Sequence, residues 1–122
     1  MSADATTAED RFARLGTPLP DAPTPFGAYV PAVRTANLLF LSGMLATSGH
    51  TATTVGVVGK DLDGKAGREA AYTAALNVLA LTRKQLGSLD RVSRVVRLGV
   101  YIAATVTGQI LYVDGGAHFG RW

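Results

Sequence analysis

One long stretch with helical periodicity stands among short β-forming runs, and this imbalance limits the folds open to the chain. The stretch covers residues 66–86. On a helical wheel its small and apolar side chains gather on one side: Ala71, Ala74, Ala75, Val78, Thr82 and Leu86, flanked by Leu79 and Leu81. The opposite side collects Glu69, Thr73, Asn77, Arg83 and Lys84. Gly87 follows and is expected to end the helix with a left-handed cap. One such helix covers one face of a sheet.

The β-forming runs lie at residues 28–34, 38–42, 53–59, 93–103 and 109–113. The first two are joined by Thr-Ala-Asn and predict a hairpin, and "LLFLSG" is apolar enough for a central strand buried on both faces. Residues 44–52 are expected to form a loop. The order β-β-β-α-β-β predicts an α+β domain with a mainly antiparallel sheet. Its second face needs a cover, which an oligomer could supply.

The chain of 122 residues is expected to form one domain. Residues 1–25 are interpreted as an irregular amino-terminal arm with a short helical turn around 8–15, because prolines interrupt the rest: Pro18, Pro20, Pro23 and Pro25. Residues 104–122 form an atypical tail with one strand.

Composition excludes several classes of function. Without cysteine there is no disulfide, thiolate metal site or cysteine nucleophile. No secretory signal or membrane span is recognised, so a cytoplasmic location is expected. The net charge of +3 is weak, and a solvated surface is favoured over a nucleic-acid site for the basic run: Arg83, Lys84, Arg91, Arg94 and Arg97.

Metal and cofactor sites are not predicted. The histidines, His50 and His118, lie far apart and have no ligand-type residue at helical spacing, whereas a metal needs three or four converging donors. Asp61 and Asp63 flank a turn, where aspartates commonly bind backbone amides or begin a helix. A triad of Ser42 with a histidine and a carboxylate is given little weight, because triads are defined by geometry.

Several motifs over residues 15–103 resemble the YjgF/RidA family of reactive-intermediate (imine) deaminases, also described as endoribonuclease L-PSP-like. They are "GAYVPAVRTANLLFLSG", "GKDL", "AAYTAALNVLALTRKQLG" and "SLDRVSRVVRLGVYIA". The residues that match the family pattern are Gly27, Tyr29, Ala32, Val33, Asn37, Leu38, Phe40, Ser42 and Gly43. Those that depart from it are Ala28, Pro31, Ala36 and Met44.

The resemblance implies a chorismate-mutase-like fold, a homotrimer, clefts between subunits, and hydrolysis of enamines or imines to ketoacids and ammonia. It places Tyr29 and Ser42, with the adjoining Gly43, at the cleft as substrate-binding residues. Two structural alternatives stay open: a tyrosine that only packs across strands, and a serine that only ends a strand.

The carboxyl-terminal part departs from the family. A second helix, an arginine that pairs with the substrate carboxylate, and an acidic residue near the attacking water are missing after "VYIAAT". Arg34, Arg97 and Arg121 are candidate replacements, of which Arg97 is taken as a substrate-binding residue; an arginine fork holds a carboxylate through two parallel hydrogen bonds. No catalytic residue is assigned.

Instead, the tail "VTGQILYVDGG" resembles the end of short-chain dehydrogenases/reductases. The matching residues are Thr107, Gly108, Gln109, Leu111, Val113, Asp114, Gly115 and Gly116. The glycine-rich turn and the Tyr-x-x-x-Lys pair of those enzymes are missing, so the chain looks chimeric, with a junction near residues 103–106.

Three functions follow. The first is an imine or enamine deaminase that acts on 2-aminoacrylate-type intermediates at clefts between subunits, without a cofactor. The second is a non-catalytic trimer that binds small carboxylates or serves as a scaffold. The third is a remnant of a short-chain dehydrogenase.

Overall fold

The computed structural model describes residues 6–25, 27–49, 51–102 and 109–114. Two helices, a 3-10 turn and seven strands occupy these residues: α1 Ala8–Ala13, β1 Ala32–Thr35, β2 Leu38–Leu41, β3 Met44–Leu45, β4 Thr47–Ser48, β5 Thr51–Ala52, α2 Gly64–Leu86, the 3-10 turn Leu89–Arg91, β6 Arg97–Ile102 and β7 Gln109–Asp114. The strands form three antiparallel sheets in the orders β1-β2, β3-β7-β6 and β4-β5. The predicted α+β class with one main helix is confirmed.

The predicted hairpin is present, but β1 is shorter than its β-forming run. Its register pairs Thr35 with Leu38, which leaves Ala36 and Asn37 as a two-residue turn, with Ala36 at a φ of 51°. The strand begins only after Pro31, since proline lacks the N–H that a ladder needs. The expectation that β2 is central is wrong: among the described residues β2 has one hydrogen-bonded neighbour, β1.

Helix α2 begins and ends at the local signals in the sequence. The Asp63 carboxylate accepts a hydrogen bond from the Ala66 amide at 2.8 Å, which satisfies one of the unpaired donors of the first turn. Gly87 follows the helix with a φ of 85°, and its amide donates to the Arg83 carbonyl. The predicted helix and its glycine cap are confirmed, and the helix starts two residues before position 66.

We expect Gly87→Ala to lower the free energy of unfolding by about 1 kcal/mol, because a β-carbon disfavours the left-handed conformation. Urea denaturation followed by circular dichroism measures this change. The matched control is Gly64→Ala at the first turn of α2, where an added Cβ meets nothing within 4 Å. An equal loss in both variants would contradict the assigned cap.

The apolar core lies between α2 and the strands. Leu41 and Met44 contact Val78 and Leu81, and partly buried side chains close the cluster. Alanines on the same side of α2 are almost fully buried, and their small size lets the helix approach β3 and β7 closely. No helix within the described ranges is long and apolar enough to cross a lipid bilayer.

Two neighbouring segments have the opposite secondary structure to the one predicted for them. The expected loop at 44–52 contains the short strands β3, β4 and β5. The expected strand at 53–59 is not formed: Gly56 and Gly59 take φ values of 141° and 94°, and the chain turns at residues 59–61. The Val57 carbonyl accepts the amides of the three residues 60–62, and the Asp61 carboxylate accepts the Val57 amide at 3.1 Å.

The tail strand β7 lies in the same chain's sheet, between β3 and β6. The first pair of the β6–β7 ladder joins Arg97 to Asp114. The run at 93–103 was therefore predicted too long, since residues 93–96 precede this pairing and are not in a strand.

Helix α1 is joined to the end of α2 by one carboxylate. Glu9 accepts hydrogen bonds from the Arg83 guanidinium, through Nε at 3.1 Å and through Nη2, and from the Leu89 amide at 2.7 Å. In return, the Asp90 carboxylate accepts the Glu9 amide at 2.8 Å. The Arg83 hydrogen bonds, followed by that of Leu89, hold the pKa of Glu9 below its ordinary value. This contact holds α1 of the amino-terminal arm against the end of α2.

We expect Glu9→Gln to destabilise the protein at pH 7 and to have a smaller effect in acid. A carboxylate whose pKa is lowered on folding stabilises the native state fully at pH values above its pKa in the unfolded chain. This contribution is lost as the pH falls through its pKa in the folded protein. Urea titrations at pH 7 and pH 3 compare the variant with the wild type. The control, Glu69→Gln on the exposed side of α2, should change little at either pH. A difference that is independent of pH would contradict the ion pair.

Candidate functional site

A small hollow opens where the amino-terminal arm crosses the end of the hairpin. Pro23 and Pro25 form the wall from the arm, Tyr29 and Ser42 lie at the hairpin, and residues 43–45 and 47 supply most of the remaining wall. The enclosed volume is about 30 Å³, room for roughly two water molecules. In one chain the hollow is therefore an open recess, too small to enclose a metabolite.

The structure brings together three of the four substrate-binding residues that were expected from the sequence. Tyr29 lies in the bend before β1, 46% exposed, and Ser42 follows β2, where its amide donates to the Pro31 carbonyl at 3.0 Å. Gly43 adjoins it in the same wall. Both hydroxyl side chains and the adjoining backbone therefore border one recess.

Arg97 is not among the residues of this recess. Met44 pairs with Leu111, which pairs in turn with Val100. Arg97 thus lies roughly 10 Å further along β6 and roughly 10 Å across two strand spacings. Side-chain exposure along β6 also alternates, so that Arg97 faces the side opposite to the exposed Leu98 and Val100.

The other two candidate arginines do not supply the missing cation either. The Arg34 Nε donates to the Ala36 carbonyl at 3.4 Å, within the hairpin turn. Arg121 lies outside the described residues. The described wall of the recess is accordingly uncharged, with hydroxyl groups set among proline and aliphatic side chains.

The basic run does not form a free cationic surface throughout. Arg83 is half-buried in its ion pair with Glu9, and Arg91 donates from Nη1 to the Leu86 carbonyl at 3.0 Å. Arg83 and Arg91 are therefore held by intramolecular partners.

The smaller predictions have mixed outcomes. Asp61 and Asp63 bind backbone amides as expected, at the turn and at the start of α2. The described ranges contain no group of three histidine, cysteine or carboxylate side chains that could hold a metal. Both His50 and His118 lie outside those ranges.

Asn77 is a residue near the recess that sequence reasoning misplaced. It was expected on the polar side of α2, yet it is 2% exposed. Its Nδ2 donates to the Leu45 carbonyl at 3.0 Å and to the Thr47 carbonyl at 2.9 Å. The spacing of the buried positions 70, 74, 77 and 81 is that of one helix face. This spacing was the available signal that position 77 is buried.

Comparison with known proteins relates the chain to relatives that are longer than it is. No family model matches. Protein TCP17 of Trypanosoma cruzi is 36% identical over 105 residues, which cover 85% of this chain and 66% of that protein. The chain thus spans just under two thirds of the length of this curated relative.

Two solved structures have a similar fold. A "putative endoribonuclease" from Shewanella oneidensis MR-1 has a TM-score of 0.71 and 28% identity, over 76% of this chain and 62% of that one. The protein Atu1372, of unknown function, from Agrobacterium tumefaciens has a TM-score of 0.68 and 34% identity, over 78% of this chain and 58% of that one.

None of these three proteins is named as a dehydrogenase. The resemblance of the tail to short-chain dehydrogenases therefore has no support beyond its own motif. The α+β architecture and the solved structures instead agree with the motifs of the hairpin and of α2. In fold, this chain is YjgF-like.

Proposed function

We propose that the chain is a YjgF/RidA-type deaminase that hydrolyses imines of small 2-oxo acids, such as the imine tautomer of 2-aminoacrylate. The observation that carries the proposal is the convergence of Tyr29 and Ser42 on one recess. In the reaction, water adds to the imine carbon, the C–N bond breaks, and ammonia and the 2-oxo acid leave. The two hydroxyl groups would orient the water and stabilise charge at the imine nitrogen through hydrogen bonds.

The recess requires a second wall to exclude bulk water, and we propose that another copy of the chain supplies it. Leu98 and Val100 leave an apolar strip on the sheet face away from α2, exposed to 56% and 53%. Exposed apolar surfaces of this kind favour association. A neighbouring copy is also the source we propose for the cation that the described wall does not contain.

The uncharged wall favours a second function, binding of a small acid without turnover. Hydrolysis gains from donors and charges placed around the developing transition state, whereas binding needs only complementary shape and hydrogen bonds. A non-catalytic trimer that binds small carboxylates is therefore the alternative.

Release of ammonia from freshly generated 2-aminoacrylate tests the first function. We expect Tyr29→Phe and Ser42→Ala each to lower the rate by at least about tenfold, within the range seen for loss of a catalytic donor or acid–base group. Tyr72→Phe and Ser93→Ala are matched controls, because the Tyr72 hydroxyl on α2 shares a hydrogen bond with Thr17 of the arm, outside the recess lining, and Ser93 is exposed before β6. Both controls should keep the wild-type rate.

The outcomes separate the two functions. Absence of ammonia release, together with saturable binding of pyruvate or 2-oxobutyrate in an NMR titration, would replace the deaminase with the binding protein. Absence of both would refute both proposals. Equal rates in the Tyr29 and Tyr72 variants would remove Tyr29 from the site.

A further inference from the structure

The wall of the recess contains a corner at which the chain leaves one sheet and enters another. Strand β3 pairs with β7 through residues 44 and 45, and β4 pairs with β5 through residues 47 and 48. Ala46 lies between them and is 3% exposed. Because each strand is only two residues long, the corner cannot be held by a continuous ladder.

The three successive carbonyls of this corner accept hydrogen bonds from Thr53, which follows β5, and from Asn77 on α2. The Ala46 carbonyl accepts the Thr53 amide at 2.9 Å and the Thr53 hydroxyl at 3.0 Å. The carbonyls on either side, of Leu45 and Thr47, both accept from the Nδ2 of Asn77. Nδ2 also lies 3.3 Å from the Thr47 hydroxyl oxygen.

Because these hydrogen bonds are buried, their loss would destabilise the corner. Asn77 and Thr47 are 2% and 4% exposed, so water cannot readily replace the amide. A buried acceptor that loses its donor bears the full desolvation penalty. An aliphatic side chain at position 77 would fill the space but leave acceptors unpaired, and a carboxylate would place negative charge against carbonyl oxygens.

We propose that Asn77 is a positioning residue of the recess. Its amide connects the rigid helix α2 to the backbone at positions 45 and 47, both in the recess wall, and so sets the distance of this wall from Ser42 and Tyr29. Its effect on ligand binding rests on the function proposed above. Its effect on the corner does not.

The test compares Asn77→Asp with Thr82→Ala. The aspartate is nearly isosteric but donates no hydrogen bond when ionised. Thr82 is also buried on α2, and its hydroxyl donates only to the Val78 carbonyl of the same helix, so its loss leaves the corner intact. Asn77→Ala is a second variant that folds without a buried charge.

Two measurements are made on each variant. Hydrogen exchange of the Thr53 amide measures the local opening of the corner without ligand. In both Asn77 variants we expect this exchange to be at least tenfold faster than the rate calculated from their global unfolding free energy. An NMR titration with pyruvate reports the recess, and we expect a Kd at least tenfold weaker than in the wild type. Thr82→Ala should leave the Kd for pyruvate unchanged, and should change the exchange of Thr53 only as far as it changes the global stability.

Exchange at Thr53 that follows global stability equally in the Asn77 and Thr82 variants would overturn the positioning role. If wild-type protein neither releases ammonia from 2-aminoacrylate nor binds pyruvate, the proposed function fails, while the exchange measurement still decides whether Asn77 holds the corner. Faster exchange at Thr53 with an unchanged Kd for pyruvate would show that Asn77 has only a structural role at the corner, and would overturn its role in the recess.

Discussion

Leu81→Ala is expected to lower the free energy of unfolding by about 2–5 kcal/mol, the range for leucine truncations in closed cores. Leu81 is 1% exposed and is the largest fully buried side chain among the described residues. It contacts Leu41, Met44 and Val78 in the core between α2 and the strands. Since domains of this size have only about 5–15 kcal/mol of stability, this one truncation should bring the protein close to unfolding. Urea denaturation at 25 °C measures it.

Leu15→Ala is the matched control, since Leu15 follows α1 and is 63% exposed. Exposed truncations of this kind change stability by no more than about 0.5 kcal/mol. Similar losses of unfolding free energy in the two variants would mean that Leu81 is not packed in a closed core between α2 and the strands. An unchanged slope of free energy against urea would show that the effect lies in the native state.

The features that the sequence predicts well depend on neighbouring residues. Asp63 and Gly87 fix the ends of α2 through side-chain and backbone preferences that act within one turn. The turn at Ala36 and Asn37 is likewise local. For this reason the helix and the hairpin are recognised from the sequence within a few residues.

Features that depend on distant partners are not recognised. Asn77 is polar and is therefore grouped with the charged residues; its spacing indicates a buried helix face, but the partners that explain a buried amide lie 30 and 32 positions earlier in the chain. Residues 44–52 have no marked β pattern, and β3 within them forms by pairing with the distant β7, whereas β4 and β5 pair with each other. Conversely, the valines of 53–59 favour a strand, but glycines at positive φ turn the chain instead.

In the candidate site, too, the positions set by neighbouring residues are predicted from the sequence and the position set by a distant strand is not. Tyr29, Ser42 and Gly43 belong to one hairpin region, so a single local motif predicts that they lie together. Arg97 would have to reach the recess across the β3-β7-β6 sheet, and its place depends on a register that the sequence does not reveal.

The double substitution Leu98→Lys with Val100→Lys is expected to convert the oligomer proposed above into a monomer. Both side chains are exposed on the same face of β6, and Val95 and Val96 extend the apolar strip before the strand, exposed to 65% and 54%. Burying two lysine charges without partners would cost far more than the contact gains, so the association constant should fall at least about 100-fold. Light scattering coupled to size-exclusion chromatography measures the mass.

Val55→Lys is the control for added charge, since Val55 is 59% exposed in the glycine-rich turn and lies outside the strip. It should leave the oligomer intact. The same pair of variants tests the recess: if a second copy supplies its missing wall, the double lysine variant loses pyruvate binding although Tyr29 and Ser42 are unchanged, and Val55→Lys keeps it. A wild-type chain that is monomeric at micromolar concentration, yet releases ammonia from 2-aminoacrylate, would show that the recess works without a partner.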